Sequence, residues 1–241
     1  MPSTINAANK KNLIMTQQSF FPKSLSHWRL FFLIIVPVLI FAILLILVIQ
    51  QTTQAWDIAV MQAIHTWSNP VLDRLMIIVT DTGGIGRAVP FVFVVAWLLW
   101  RGLRLETWTL LGAAAIGQAF TWLFKWLVDR PRPNAFETLR ALPTDASFPS
   151  GHALGSTIFY GLLGIWLWQN GRRGWAMVFF IWAALVSFSR VYLGVHHPTD
   201  VLASVSLGIA WLTIVMVFYN DMKRRQNDST AHHHQSGSGQ R

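Results

Sequence analysis

Six apolar segments alternate with short polar stretches along the chain and predict membrane-spanning helices. A helix needs about 20 apolar residues to cross roughly 30 Å of hydrocarbon, and the shorter segments reach that length only with flanking polar residues included. The segments are residues 30–49, 88–100, 105–124, 153–168, 175–188 and 201–219. This pattern predicts an all-α fold, an integral membrane bundle of six transmembrane helices.

Residues 56–79, between the first two segments, mix apolar and polar positions. Apolar side chains recur there among polar ones, as in an amphipathic helix or helix pair that lies in the membrane interface; they are Ile58, Met61, Ile64, Leu72, Leu75 and Ile78. Glycines at positions 83, 84 and 86 then interrupt the pattern. We therefore expect an interfacial helical segment, which the charge distribution places on the extracytoplasmic side.

Composition supports a membrane protein and divides the chain into three parts. The sequence is 53% hydrophobic and 12% charged, and these proportions are typical of a membrane protein. The predicted parts are a polar cytoplasmic N-terminal segment (1–27), a six-helix membrane domain (28–220) and a basic, disordered cytoplasmic tail (221–241). The first apolar run is too long for a signal-peptide core, so it is interpreted as a retained anchor.

Lysine and arginine counts predict the orientation of the bundle. With the N-terminus in the cytoplasm, the inner segments hold twelve of the nineteen basic residues, as the positive-inside rule requires. The outer side keeps seven, of which four belong to candidate site motifs and three oppose the rule, namely Arg74, Arg87 and Arg140. We expect a multi-pass protein of the cell (inner) membrane with both termini cytoplasmic. The net charge of +9 lies in small groups between apolar runs, so no nucleic-acid partner is expected.

Three cations fall at predicted outer ends of the helices. Lys125 ends the third apolar segment and Arg190 the fifth, while Arg132 lies between prolines that stiffen the chain. A guanidinium can bind two phosphate oxygens, so this set is typical of an oxyanion site. Arg130 also precedes a proline and is interpreted as a supporting cation behind the site.

Pro149-Ser150-Gly151-His152 comes immediately before the fourth apolar segment. Ser150 is a suitable helix N-cap, and Gly151 leaves room for an anion at the free N–H groups of the first turn. His152 is placed to protonate a leaving oxygen as a general acid. The alternative is a capped helix start with an incidental histidine.

His196 and Asp200 are four residues apart at a predicted helix start, so they share one helical face. A carboxylate that accepts from one imidazole nitrogen leaves the other nitrogen unprotonated and nucleophilic. The chain has no cysteine, which excludes a thiol nucleophile, a disulfide and a thiolate metal site. His197 is a nearby competitor, three residues from Asp200.

These motifs resemble, residue for residue, the three signatures of the type 2 phosphatidic acid phosphatase superfamily, K-x6-RP, PSGH and SR-x5-H-x3-D, over residues 125–200. The resemblance selects Arg132 rather than Arg130, and His196 rather than His197, which then has a structural or substrate-rim role. It implies catalytic residues His196, His152 and Asp200, and phosphate-binding residues Lys125, Arg132, Ser150, Gly151 and Arg190.

The predicted function is a membrane phosphatase in which His196 attacks phosphorus, a phosphohistidine forms and water releases phosphate. No cofactor is expected, and one carboxylate and two histidines among three cations are a poor set of ligands for a divalent metal. The expected partners are the bilayer and a lipid phosphate, and the oligomeric state stays open. By resemblance, the lipid is phosphatidate, phosphatidylglycerol phosphate, undecaprenyl diphosphate or a relative of these.

Three alternatives accompany this prediction. A lipid phosphotransferase would use the same site. The soluble vanadium-dependent haloperoxidases share the constellation, but six apolar segments argue against them. A transporter would bury charges within the spans, whereas almost all charges here flank the apolar segments.

Overall fold

Helices account for the regular structure of the described part of the chain, residues 27–238, in a computed structural model. Within that range there are eight α-helices, one 3-10 turn and no strand. The α-helices are α1 (His27–Ile49), α2 (Gln54–His65), α3 (Pro70–Asp81), α4 (Ala88–Trp100), α5 (Arg104–Val128), α6 (Gly151–Gln169), α7 (Arg173–Tyr192) and α8 (Pro198–Ser238). The all-α prediction is confirmed for these residues. The predicted N-terminal segment lies outside them except for its last residue.

A helix covers each of the six apolar segments, but they differ in their ability to span a membrane. Among the described residues, four helices are long and apolar enough, namely Leu30–Ile49 of α1, α5, α7 and Pro198–Ser229 of α8. A fifth span is present if α3 and Ile85–Trp100, bent by 56° at the glycine turn, cross as one pair. The structure therefore has four or five helices of spanning character.

The predicted helix pair over residues 56–79 is present as α2 and α3. The two helices separate where Asn69 caps α3, with its side-chain oxygen 3.0 Å from the N–H of Leu72, and where Pro70 occupies the first helical position. Both features are typical of a helix start. Gly83 and Gly84 lie in the turn after α3, and Gly86 lies within the 3-10 segment Ile85–Arg87.

Helix α6 lies at the centre of the bundle because small residues let its neighbours approach closely. A Cβ on Gly161 would come within 2.6 Å of Leu212 in α8, and one on Gly164 within 2.5 Å of Phe180 in α7. Close approach at glycine is a common way for membrane helices to pack without a hydrophobic driving force between them. Helix α6, which begins directly after Ser150 and carries His152 in its first turn, is therefore held by contacts on two sides.

Helix α8 continues through residues 221–238, for which the sequence predicted a disordered tail. Contacts support the helix at the start of this stretch. Lys223 Nζ lies 2.8 Å from Glu106 Oε1 on α5, and Arg225 pairs with Asp221 four residues earlier at 2.9 Å. Such pairs stabilise a helical continuation beyond the apolar part.

Candidate active site

The three sequence motifs converge at one end of the bundle. Lys125 is in the last turn of α5 and Arg190 in the last turn of α7, while Asp200 is in the first turn of α8. α5 ends because Asp129 adopts a left-handed conformation (φ 42°), which turns the chain toward Arg130 and the two prolines. The helix ends thus bring side chains from distant parts of the sequence together.

An aspartate that the sequence analysis did not identify joins two of the cations. Asp145 Oδ1 lies 2.6 Å from Arg132 Nη2, and Asp145 Oδ2 lies 3.1 Å from Lys125 Nζ. Partial burial raises the pKa of Asp145, but the hydrogen bonds from Arg132 and Lys125 outweigh it and hold this pKa below its usual value. Asp145 is therefore an anion that pairs with both cations.

His196 points one ring nitrogen toward the cations. Its Nε2 atom lies 3.4 Å from Arg132 Nη1, which also donates to the carbonyl oxygen of Val195 at 2.7 Å. The other nitrogen, Nδ1, faces Ser147 Oγ at 3.5 Å and Asp200 Oδ2 at 3.6 Å. Nε2 is therefore the nitrogen that faces the Arg132 guanidinium.

The contact between His196 and Asp200 differs from the predicted direct hydrogen bond. A separation of 3.6 Å is longer than a hydrogen bond, and Asp200 Oδ2 accepts instead from the hydroxyl of Ser147 and from the backbone N–H of His197 at 3.0 Å. His197 Nδ1 is also nearer to this oxygen, at 3.2 Å. The Ser147 hydroxyl, which contacts both side chains, thus connects the imidazole of His196 to the carboxylate.

Arg130 stands between two buried carboxylates. Its Nη1 lies 2.6 Å from Asp200 Oδ1, and its Nη2 lies 2.8 Å from Asp57 Oδ2. Asp57 also accepts from the backbone N–H of Thr199 at 3.0 Å. Both carboxylates are fully buried, where a charge needs compensation. Arg130 supplies it, and its place behind Asp200 agrees with the supporting role inferred from the sequence.

Asp57 and Ser147 were missed by the sequence analysis, although Asp57 left a detectable signal. Asp57 precedes Met61 and Ile64 by four and seven residues, the spacing of one helical face. An acidic residue on the same helical face as apolar residues is unusual unless a buried partner compensates its charge. Ser147 carries no comparable signal, because it lies in an irregular loop.

The start of α6 is buried and closely packed. Ser150 is fully buried and caps the helix, with its Oγ 3.4 Å from the N–H of Ala153. Gly151 lies close to α5, since a Cβ there would come within 3.2 Å of Thr121. His152 lies against the glycine turn, where a Cβ on Gly84 would be 2.5 Å from its Nε2. Glycines thus make room for this histidine and for the helix start.

Arg190 reaches the site from α7 and is almost completely buried, with 2% exposure. Its Nη1 donates to Thr80 Oγ1 at 2.6 Å, which attaches it to the end of α3. Its Nε has no hydrogen-bond partner among the residues that the structure describes. A buried guanidinium with an unused donor is suited to an oxyanion.

Burial controls the protonation of His196. It lowers the pKa of His196 to about 4; the nearby Asp200 raises this pKa, and the charges of Arg190 and Arg132 lower it. The imidazole is therefore neutral at neutral pH. A neutral ring with Nε2 directed at the cations is the form required for nucleophilic attack.

Known proteins resemble the chain in both sequence and fold. The model of the PAP2 superfamily matches residues 106–224. An undecaprenyl-diphosphatase of Bacillus subtilis is 31% identical over 156 residues, which are 62% of this chain and 77% of the relative. Phosphatidylglycerophosphatase B of the same organism is 29% identical over 193 residues, 77% of this chain and 94% of the relative.

A solved structure is also similar to this chain in fold. The crystal structure of a transmembrane PAP2-type phosphatidylglycerolphosphate phosphatase from Bacillus subtilis superposes with a TM-score of 0.74 at 26% identity, covering 80% of this chain and 98% of that one. The chain belongs to the PAP2 superfamily and is a multi-pass membrane phosphatase. The family resemblance inferred from the three motifs is thereby confirmed.

Proposed function

We propose that this phosphatase hydrolyses the terminal phosphate of a lipid phosphate or diphosphate through a phosphohistidine on His196. The observation that carries the proposal is the orientation of the His196 ring. Nε2 faces Arg132 at 3.4 Å, while Nδ1 faces Ser147 and Asp200. A nitrogen lone pair is thus aimed at the place where cations would hold phosphorus.

The reaction divides into two transfers of one phosphoryl group. His196 Nε2 forms a bond to phosphorus as the bond from phosphorus to the lipid oxygen breaks, and Lys125, Arg132 and Arg190 stabilise the charge on the equatorial oxygens. His152 gives a proton to the departing oxygen, since the phosphate beside it favours the imidazolium form. Water then attacks phosphorus, and His196 is released with inorganic phosphate. Asp200, through Ser147, stabilises the Nδ1 proton throughout.

An apolar groove supports a lipid as the substrate. A cavity of about 410 Å³ lies between α4, α5 and α6 and reaches Gly84 and Gly151 beside the candidate site. Its lining is mainly alanine, glycine, phenylalanine and isoleucine. A hydrocarbon chain placed there stays out of water, which is worth about 0.8 kcal/mol per methylene. The phosphate of such a lipid lies at headgroup depth, where the cations cost least.

Phosphate release from a lipid panel tests this proposal. Purified protein in detergent is given phosphatidate, phosphatidylglycerol phosphate and a polyprenyl diphosphate, each with and without EDTA. We expect release that survives EDTA and is inhibited by vanadate, which takes the five-coordinate shape of the transition state. Loss with chelator that magnesium restores would contradict the metal-independent mechanism. Phosphate recovered on an acceptor lipid rather than in water would favour the phosphotransferase.

The proposed topology has six spans, cytoplasmic termini and an extracytoplasmic site, and the absence of native cysteine permits a direct test. Ala141 and Asn170 are both exposed. Ala141 lies in the loop before α6 and Asn170 directly after its last residue, so the two positions are at opposite ends of this helix. In intact cells, we expect Ala141→Cys to react with an impermeant thiol reagent and Asn170→Cys to remain unlabelled. Both variants should react after permeabilisation, which is the control for accessibility. The reverse labelling pattern would invert the orientation.

A further inference from the structure

Arg87 is a partly buried cation that the proposed mechanism does not use. It ends the 3-10 turn Ile85–Arg87, and its side chain lies across α6, where a Cβ on Gly155 would come within 2.0 Å of Arg87 Nη1. This Nη1 atom is buried and has no hydrogen-bond partner within residues 27–238. A buried guanidinium N–H without a partner is costly, so the unsatisfied Nη1 indicates a ligand that supplies an acceptor there.

The turn that carries Arg87 packs against α6 and α7. Tyr160 of α6 donates its hydroxyl to the carbonyl oxygen of Thr82 at 2.8 Å, and Trp182 of α7 donates its Nε1–H to Thr82 Oγ1 at 3.0 Å. Two residues further on, Gly84 lies against His152. The position of Arg87 is therefore fixed relative to the general acid.

Arg87 also follows His152 along the path that a lipid would take. Gly155, which it covers, is one helical turn beyond Gly151 on α6. Arg87 and Gly84 both line the apolar groove between α4, α5 and α6. A ligand extending from the candidate site into the groove passes His152 first and Arg87 next.

We propose that Arg87 binds the second, lipid-linked phosphate of a lipid diphosphate and so makes the enzyme selective for diphosphates. The inference rests on the proposed function, because in-line attack by His196 puts the leaving oxygen on the opposite side of phosphorus, and this assignment directs it toward His152 and then Arg87. In a lipid diphosphate, that oxygen bridges to the second phosphate.

The charge balance explains why Arg87 would favour a diphosphate. As His196 Nε2 bonds to the terminal phosphorus, the bond to the bridging oxygen breaks and its electron pair stays on the lipid phosphate. Negative charge therefore builds on that group in the transition state, before the proton from His152 is fully transferred, and a nearby guanidinium stabilises this increase. Farnesyl monophosphate or phosphatidate instead releases its lipid as an uncharged alcohol, which offers Arg87 no charged oxygen.

Arg87→Gln tests this assignment with two substrates that share one hydrocarbon chain, farnesyl diphosphate and farnesyl monophosphate. Because the variant loses a hydrogen bond to a charged group, its kcat/KM for the diphosphate should fall about 10- to 100-fold. The value for the monophosphate should fall less than about threefold. The ratio of the two values, measured on one sample, does not depend on the fraction of folded protein.

Three further variants sharpen the test. Arg87→Lys should recover part of the ratio, because it restores the charge without the guanidinium fork. Gly155→Ala should lower the ratio while Arg87 remains, since the new methyl group occupies the place of Nη1. Arg140→Gln is the matched control: Arg140 is 41% exposed and pairs with Asp81, so its loss should leave the ratio unchanged.

The outcomes separate this inference from the proposed function. If Arg87→Gln lowers kcat/KM equally for both substrates, or for neither, the ratio is unchanged. Either result would overturn the role of Arg87 and leave lipid phosphatase activity standing. A wild-type protein that hydrolyses phosphatidate but not farnesyl diphosphate would also overturn it. If the wild-type protein releases phosphate from no lipid of either class, the proposed function itself fails.

Discussion

His196→Gln is expected to abolish phosphate release from every lipid substrate, with a loss of at least about 10⁴-fold in kcat. The reason is that Nε2 of His196, 3.4 Å from Arg132 Nη1, is the atom assigned to attack phosphorus, and an amide cannot replace it. Glutamine is preferable to alanine, because His196 is only 2% exposed and a buried cavity would confuse lost folding with lost chemistry.

Trapping of the intermediate gives the decisive measurement. Wild-type protein quenched in alkali with phosphorus-labelled substrate should retain an acid-labile label, and His196→Gln should retain none. His197→Gln is a matched control, since His197 is equally buried and even closer to Asp200; it should keep the label. If His197→Gln loses the label and His196→Gln keeps it, the nucleophile is the other histidine.

Asp200→Asn should lower kcat by about 10²- to 10³-fold with little change in KM, because Asp200 orients His196 without touching substrate. The effect is smaller than that of His196→Gln, since the carboxylate acts through the Ser147 hydroxyl, with His196 Nδ1 3.6 Å away. An amide also cannot accept charge-assisted hydrogen bonds equally well from Arg130, which lies 2.6 Å from Asp200 Oδ1.

The pH dependence of kcat/KM tests whether Asp200 acts through His196. Burial sets the pKa of His196 at about 4, and Asp200 raises it, so wild-type kcat/KM should fall only as pH drops toward about 4. Without the carboxylate, this pKa falls further and the acid limb moves to lower pH. Asp57→Asn is the control, because Asp57 contacts Arg130 but not His196. An acid limb that is unmoved in Asp200→Asn would contradict the coupling.

The same pKa determines how His196 affects stability. The pKa in the folded protein, about 4, is below the value of about 6.5 expected for an unfolded chain, so the unfolded chain binds more protons between these values. The contribution of neutral His196 to stability is therefore complete above about pH 6.5. It decreases as pH falls through this window toward about 4.

Much of the fold could be predicted from local patterns. Apolar runs and capping residues act over a few positions, and helices occur where residues 88–100 and 153–168 were expected to form them. The bend of 56° after α3 could not be predicted, because it depends on how the glycine turn packs against α6 and α7. The helical continuation beyond residue 220 depends on the contact between Lys223 and Glu106, which joins α8 to α5.

The candidate site, like the fold, could be predicted only in part from the sequence. Its cations and histidines were identified because they occur in compact motifs, and the structure brings Lys125, Arg132 and His196 into one region through Asp145 and direct contact. Asp57 is 142 positions from its partner Thr199, so no local spacing connects them. Contacts of this kind depend on tertiary packing.

The bridge from Asp57 through Arg130 to Asp200 has a consequence for biogenesis. The three residues come from α2, from the loop after α5 and from the last helix. Synthesis runs from the N-terminus, so Asp57 is made long before Asp200 exists. The bridge closes only when the last helix has been inserted beside the first ones. With the role proposed for Asp200, a nascent or truncated chain that lacks α8 should be inactive toward lipids, and catalytic activity should report that assembly in the membrane is complete.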